Sequence, residues 1–207
     1  MSGEKLNQIH RIFVSIPVDL RVQKALQSFQ RALGEQVDSA AVEWTPQQQI
    51  HLTLTFLGNV QTNSLDLVGS ALEESCRGVR PFKLRIEGLG CFPDFRTPRI
   101  IWVGLVGGIE PLCELQSRIA QSTNLLVEHK EVRPFHPHLT IGRLKKAHPG
   151  RTNLLGQMIR EFKMPELGEW TVNEVELMKS ELAPEGSVYT CLLKISLSSS
   201  ISTVDES

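Results

Sequence analysis

No charge of one sign prevails in this chain: 22 Lys and Arg stand against 23 Asp and Glu, a net charge of -1. That balance argues against a protein that coats a polyanion by bulk charge. It leaves room for a nucleic-acid end held by a few placed groups. Cysteines are few and scattered. The four, Cys76, Cys91, Cys113 and Cys191, include no C-x-x-C pair, which argues against a zinc ribbon or a disulfide scaffold and fits reduced, mostly buried thiols. The longest uncharged apolar run, residues 100–109, is well short of the roughly 20 residues a membrane helix needs. The opening MSGEKLNQIHR lacks the apolar stretch of a signal peptide. A soluble, cytoplasmic protein with no membrane contact is expected. There is no K-x-D-G adenylation motif, no G-x-x-x-x-G-K-[ST] loop, no H-E-x-x-H and no D-x-D run, so ATP-driven ligation and a conventional metal centre find no support.

What is present is an ordinary globular composition, 41% apolar and 22% charged over 207 residues, enough for one substantial core. A β-rich run from Arg11 stops at Pro17. Asp19 offers an N-cap to a helix whose apolar residues Leu20, Val22, Ala25, Leu26, Phe29 and Leu33 fall near helical spacing, closed by Gly34. Strands are expected over 42–45, 51–57 and 82–89, a helix over 65–76, and a loop over 90–94. The order then repeats: a strand over 99–105, a helix over 111–126, and a strand entered through 135–142. A helix over 154–162 follows. Two long strands, 170–182 and 187–197, flank a hairpin turn, and a serine-rich tail begins at residue 198.

The two halves match in detail. Ile12 in the first β run lies 39 residues before His51, and Ile101 in the later run lies 37 before His138. Each interval holds one helix and ends in His-Leu-Thr followed by an aliphatic residue. An internal duplication of a strand–helix–strand unit explains this. It implies an α+β fold of two pseudo-symmetric lobes, mainly antiparallel sheet with helices outside, around a central cleft.

The repeated tetrapeptides, HLTL at 51–54 and HLTI at 138–141, carry the chemistry. On a strand, residues two apart share a face, so each His projects with its Thr while the aliphatic residue between anchors the core. A local two-fold brings both faces into one cleft. Two imidazoles and two hydroxyls suit metal-free cleavage of a phosphodiester. One imidazole accepts a proton from water, the other donates to the departing alkoxide, and Thr53 and Thr140 hold non-bridging oxygens. Simple alternation turns Arg143 away from His138 and Thr140. A bulge at Gly142 would re-aim its guanidinium toward the phosphate; otherwise it is a surface ion-pair residue. His136 reads as a loop residue, and His10, His129 and His148 as surface residues. Lys145, Lys146 and Arg151 would lend positive charge to the cleft edge, or are simply solvated. Trp44, Phe56 and Tyr189 are either core aromatics or stacking groups.

These motifs resemble the 2H phosphoesterase superfamily, and within it the RNA 2',3'-cyclic phosphodiesterases, also called 2'-5' RNA ligases. The resemblance extends through RIFVSI (11–16), HLTLTFLG (51–58), GLGCFP (88–93), PRIIW (98–102), PFHPHLTIGR (134–143) and LMKSEL (177–182). One departure is Ile141-Gly142, where members often carry Leu-Ala. The resemblance implies a single two-lobed domain over 1–197 that opens RNA 2',3'-cyclic phosphate ends, or cyclic nucleotides, to 2'-phosphomonoesters. It implies no metal or other cofactor and weak reverse ligation in some members; nothing in the sequence itself demands more than a monomer. It makes His51 the acid and His138 the base, with Thr53, Thr140 and Arg143 on the phosphate. Two rivals stand beside this: a non-catalytic nucleotide or RNA-end binding module using the same cleft, and a metal-dependent nuclease built on His136 and His138.

Overall fold

The computed structural model describes residues 8–37, 41–127, 134–145, 149–184 and 186–198. His129, His148, Lys146 and nearly all of the expected tail lie outside them, as does the Arg151 side chain. In chain order the elements are β1 (Ile9–Pro17), α1 (Leu20–Gln36), β2 (Val42–Trp44), β3 (His51–Gln61), α2 (Leu65–Cys76), β4 (Phe82–Phe92), β5 (Ile100–Gly107), α3 (Ile109–Thr123), β6 (His138–Leu144), α4 (Pro149–Glu161), β7 (Glu169–Val172), β8 (Glu174–Ala183) and β9 (Gly186–Ser196). Asp19 caps α1 as its sequence position suggests, its side chain accepting from the Val22 N–H at 2.8 Å. The helix runs past Gly34 to Gln36, and the buried stripe of Val22, Leu26, Phe29 and Leu33 is continued four residues on by Val37, whose N–H bonds the Leu33 carbonyl.

All pairings are antiparallel, in the order β7-β4-β5-β6-β3-β1-β8-β9, with β2 also on β6. The order reads the same from either end once the duplication is applied: β1 corresponds to β5 and β3 to β6. The register gives the symmetry in numbers. Pro17 faces His51 and Gly104 faces His138, an offset of 34 positions in each case. Between the two halves β3 and β6 are paired at one register position, Leu52 opposite Leu139, and both leucines are fully buried. The pseudo-two-fold axis passes through that pair.

Two expectations are corrected. The expected strand over 170–182 is two strands, divided at Asn173. β7 pairs with β4 at one edge of the sheet, and β8 pairs with β1 near the other. One linking residue between such distant neighbours requires the sheet to curl back toward itself, which no local periodicity signals. The expected loop at 90–94 is strand as far as Phe92. A bulge between Ile86 and Leu89, with Gly88 at φ +88°, resets the alternation and lets β4 continue. Of the four free thiols only Cys76 and Cys91 are buried; Cys113 and Cys191 are exposed. His10 is half-buried, its Nε2 3.2 Å from the Thr62 hydroxyl. No helix among the described residues is long and apolar enough to cross a membrane.

Candidate active site

The Leu52–Leu139 pair fixes the geometry of everything beside it. With those two residues opposite one another, antiparallel alternation sets His51 against Thr140 and Thr53 against His138, all four on one face. The leucines between them are buried, while the two His and two Thr are half-buried. The histidines are diagonal neighbours, a relation that spaces residues by about 7–8 Å and their Cβ atoms by somewhat less.

Each imidazole is anchored in the same way. His51 Nδ1 lies 2.7 Å from the Gln49 carbonyl, and His138 Nδ1 lies 2.7 Å from the His136 carbonyl. A carbonyl can only accept, so Nδ1 carries the proton in both rings. Each Nε2 is then the nitrogen whose role follows the charge of the ring, an acceptor when the ring is neutral and a donor when it is charged. Burial pulls His51 below the ordinary value of 6.5; the bond to Gln49 opposes this, and the neighbouring His138 adds to it. Burial also lowers His138, again opposed by its carbonyl bond and reinforced by His136.

Aromatic rings wall in both imidazoles. Phe13 and Tyr189 lie 5.0 and 5.4 Å from His51, ring centre to ring centre. Phe92 and Trp102 lie 5.0 and 6.1 Å from His138. Tyr189 thus sits against the site, Phe56 is partly exposed, and Trp44 packs against the core. Apart from Tyr189, the walls around the imidazoles carry no mark in the sequence, and neither do the carbonyl anchors, because any residue supplies a carbonyl. One partial signal was available: Gly90. Trp102 faces it across the β4–β5 pair, and a Cβ there would fall inside the Trp102 ring. The indole lies flat only because position 90 has no side chain. Gly90→Ala is expected to cost about 1–3 kcal/mol by overpacking. That corresponds to a melting temperature lower by roughly 2–12 °C, with a fall in activity from the displaced wall of His138. A variant unchanged in both melting and turnover would sink this packing argument.

Arg143 is turned to the face that holds the histidines. Gly142 pairs with Ile101 and Thr140 with Trp102, so Ile141 is an extra residue in β6 and the alternation reverses there. Arg143 pairs with Ile100 on the cleft side and is exposed. The same slip occurs in β3, where Val14 pairs with Thr55 and Ser15 with Thr53, leaving Leu54 as the extra residue. Phe56 is therefore the pseudo-symmetric counterpart of Arg143, each five residues beyond its histidine. Gly142 itself packs under Trp44 and Val42, whose side chains would be 3.0–3.4 Å from a Cβ.

His136 is exposed, with its ring 4.8 Å from Trp102 and 6.0 Å from His138. Among the described residues no three His, Cys, Asp or Glu side chains converge as a metal site would require. A cavity of about 420 Å³ lies beyond Pro17, between Asp19, Arg21, Lys83, Glu169 and Glu174. Neither imidazole lines it.

Two antiparallel lobes about a pseudo-two-fold axis, each presenting a His-x-Thr pair to a common face, define a 2H phosphoesterase. The profile of the 2'-5' RNA ligase superfamily matches residues 16–183, and the chain belongs to that family. It is similar to proteins named RNA 2',3'-cyclic phosphodiesterase. That of Aquifex aeolicus is 30% identical over 170 residues, covering 81% of this chain and 88% of the relative. That of Methanothermobacter thermautotrophicus is 32% identical over 180 residues, covering 87% and 95%. Among solved structures, TT0787 of Thermus thermophilus matches with a TM-score of 0.74 and 27% identity over 90% of this chain and 97% of that one. LigT of E. coli complexed with 3'-AMP has the same TM-score at 20% identity over 92% and 99%, a likeness of fold.

Proposed function

We propose that this chain is a metal-independent phosphodiesterase that opens the 2',3'-cyclic phosphate at an RNA end, or in a free cyclic nucleotide, to a 2'-phosphomonoester. One observation carries the proposal: two imidazoles on one sheet face, each with Nδ1–H held by a carbonyl and Nε2 turned to work, with a threonine hydroxyl directly across from each. The names of the relatives agree with it.

His138 Nε2 takes a proton from water as the water oxygen bonds to phosphorus. The bond from phosphorus to the 3'-oxygen breaks, and that oxygen takes the Nε2 proton of His51. The acid and base roles follow the family resemblance. Thr53 and Thr140 donate to the non-bridging oxygens, and the Arg143 guanidinium offers charge to the same group. The cycle ends with His138 charged and His51 neutral, and exchange with solvent resets the pair.

Product analysis tests the reading. An oligonucleotide with a 2',3'-cyclic phosphate end is expected to yield a 2'-phosphomonoester at the same rate with and without EDTA. A 3'-monoester, or activity lost to chelation and restored by zinc or manganese, would overturn the direction of cleavage or its metal independence.

The pH profile follows from the lowered histidines. The working state carries one proton on the pair, one ring charged and the other neutral. Because burial draws both rings below 6.5, that state is most populated in the free enzyme under mildly acidic conditions. It is lost by double protonation at lower pH and by full deprotonation at higher pH. A bell-shaped kcat/KM with its maximum below pH 6.5 is expected. The kcat profile should lie to the alkaline side, because bound phosphate favours the charged rings. A kcat/KM still rising from pH 7 to 8 would contradict this.

A further inference from the structure

Both β bulges beside the site are held by a glutamine from a distant helix. Gln30 lies in the buried stripe of α1, among Leu26, Phe29 and Leu33, and is itself 5% exposed. Its amide nitrogen donates to the carbonyl of Ile141 at 2.8 Å and to that of Thr45 at 2.8 Å, which uses both of its hydrogens. Gln116 stands on α3 beside Leu115 and Ile119, and its amide nitrogen donates to the carbonyl of Leu54 at 3.3 Å. Ile141 and Leu54 are the two extra residues, each three positions after a motif histidine. The helix of each repeat therefore reaches into the other repeat's strand and grips the bulge there. An amide in an apolar stripe is costly unless it is bonded, and an aliphatic residue would serve packing alone. The placement of an amide at both equivalent positions points to the bulges as what it serves.

We infer that Gln30 and Gln116 are positioning residues of the site: by holding the bulges at Ile141 and Leu54 they keep Arg143 and Phe56 turned toward the cleft. Without the extra residue, strict alternation returns both side chains to the core face and takes the guanidinium away from the phosphate. The inference rests on the phosphodiesterase reading, because it supposes that the cleft face is where substrate binds.

A double-mutant cycle tests it, read as KM and kcat on a 2',3'-cyclic nucleotide with melting curves recorded in parallel. Gln30→Met keeps length and removes the donor. It is expected to raise KM about tenfold, the size of one buried hydrogen bond. In an Arg143→Met background the same change is expected to add little, because the residue through which it acts is gone. An unchanged KM, or a penalty equally large in that background, would overturn the inference and leave Gln30 as a prop of the fold. If Gln30→Met does not fold, the half-buried Gln116→Met, paired with Phe56→Ala, carries the same test with the same two deciding outcomes. A parent protein that does not turn over the nucleotide sinks the phosphodiesterase reading instead. The cycle is then read on the dissociation constant for inorganic phosphate, where additive penalties again defeat the inference.

Discussion

His51→Ala and His138→Ala are each expected to lower kcat by about 10²–10⁴-fold, the usual contribution of one general acid or base. KM and the melting temperature should move little. Among the described residues each half-buried ring is hydrogen-bonded through Nδ1 to a backbone carbonyl, so its loss strands no charge and unpairs one acceptor at a partly open face, where water can replace the ring. The double variant is expected to fall well short of the product of the single losses, because an acid without its base no longer completes the transfer. The controls are Thr53→Val and Thr140→Val, which remove a phosphate donor and leave both imidazoles, and should show a smaller loss. A His138→Ala protein that opens a cyclic phosphate at the parent rate would remove the base from the proposed mechanism, and the same result for His51→Ala would remove the acid.

The second large effect concerns the joint between the lobes. Leu52 and Leu139 are the one paired register position between β3 and β6, and neither has measurable exposure. Leu139→Ala is expected to cost about 2–5 kcal/mol, the range for a buried leucine that leaves a cavity, and to lower the melting temperature by roughly 4–20 °C. Activity should fall further than a stability change alone explains, measured well below the melting transition. The substitution loosens the contact that sets His51 against Thr140 and Thr53 against His138. A protein that melts early yet turns over normally would show that the four groups are aligned from elsewhere. Because Leu52 is the symmetric residue, Leu52→Ala should reproduce the effect.

The arrangement of the candidate site is legible in the sequence because it is written twice. His51 with Thr53 and His138 with Thr140 stand at matching places in two strand–helix–strand units, and two-residue alternation is enough to put each pair on one face. The N-cap at Asp19 and helix α2 were legible for similarly local reasons. The bulge suspected at Gly142 is there, though the extra residue is Ile141 and the cause is not glycine alone. What could not be read is whatever depends on distant chain. The carbonyls of Gln49 and His136 carry no residue signature. The grip of Gln30 on Ile141 spans 111 positions. The division of the last long strand at Asn173 follows from which edge each half finds. Gly90 reads as a loop residue because Trp102, which requires it, comes twelve residues later and pairs with it only in the folded sheet.

The carbonyl anchors have a consequence for how this family of sites can vary. Each imidazole takes its orientation from a main-chain oxygen two residues upstream, and every amino acid brings that oxygen with it. Exchanging the side chain at position 49 or 136 therefore leaves the proton on Nδ1 where it is. Those positions keep this anchor whatever side chain they carry, so variation there acts on the imidazole only through its surroundings, as the His136 ring does when it helps to lower His138. Only a change in the path of the backbone through the preceding turn would unseat it.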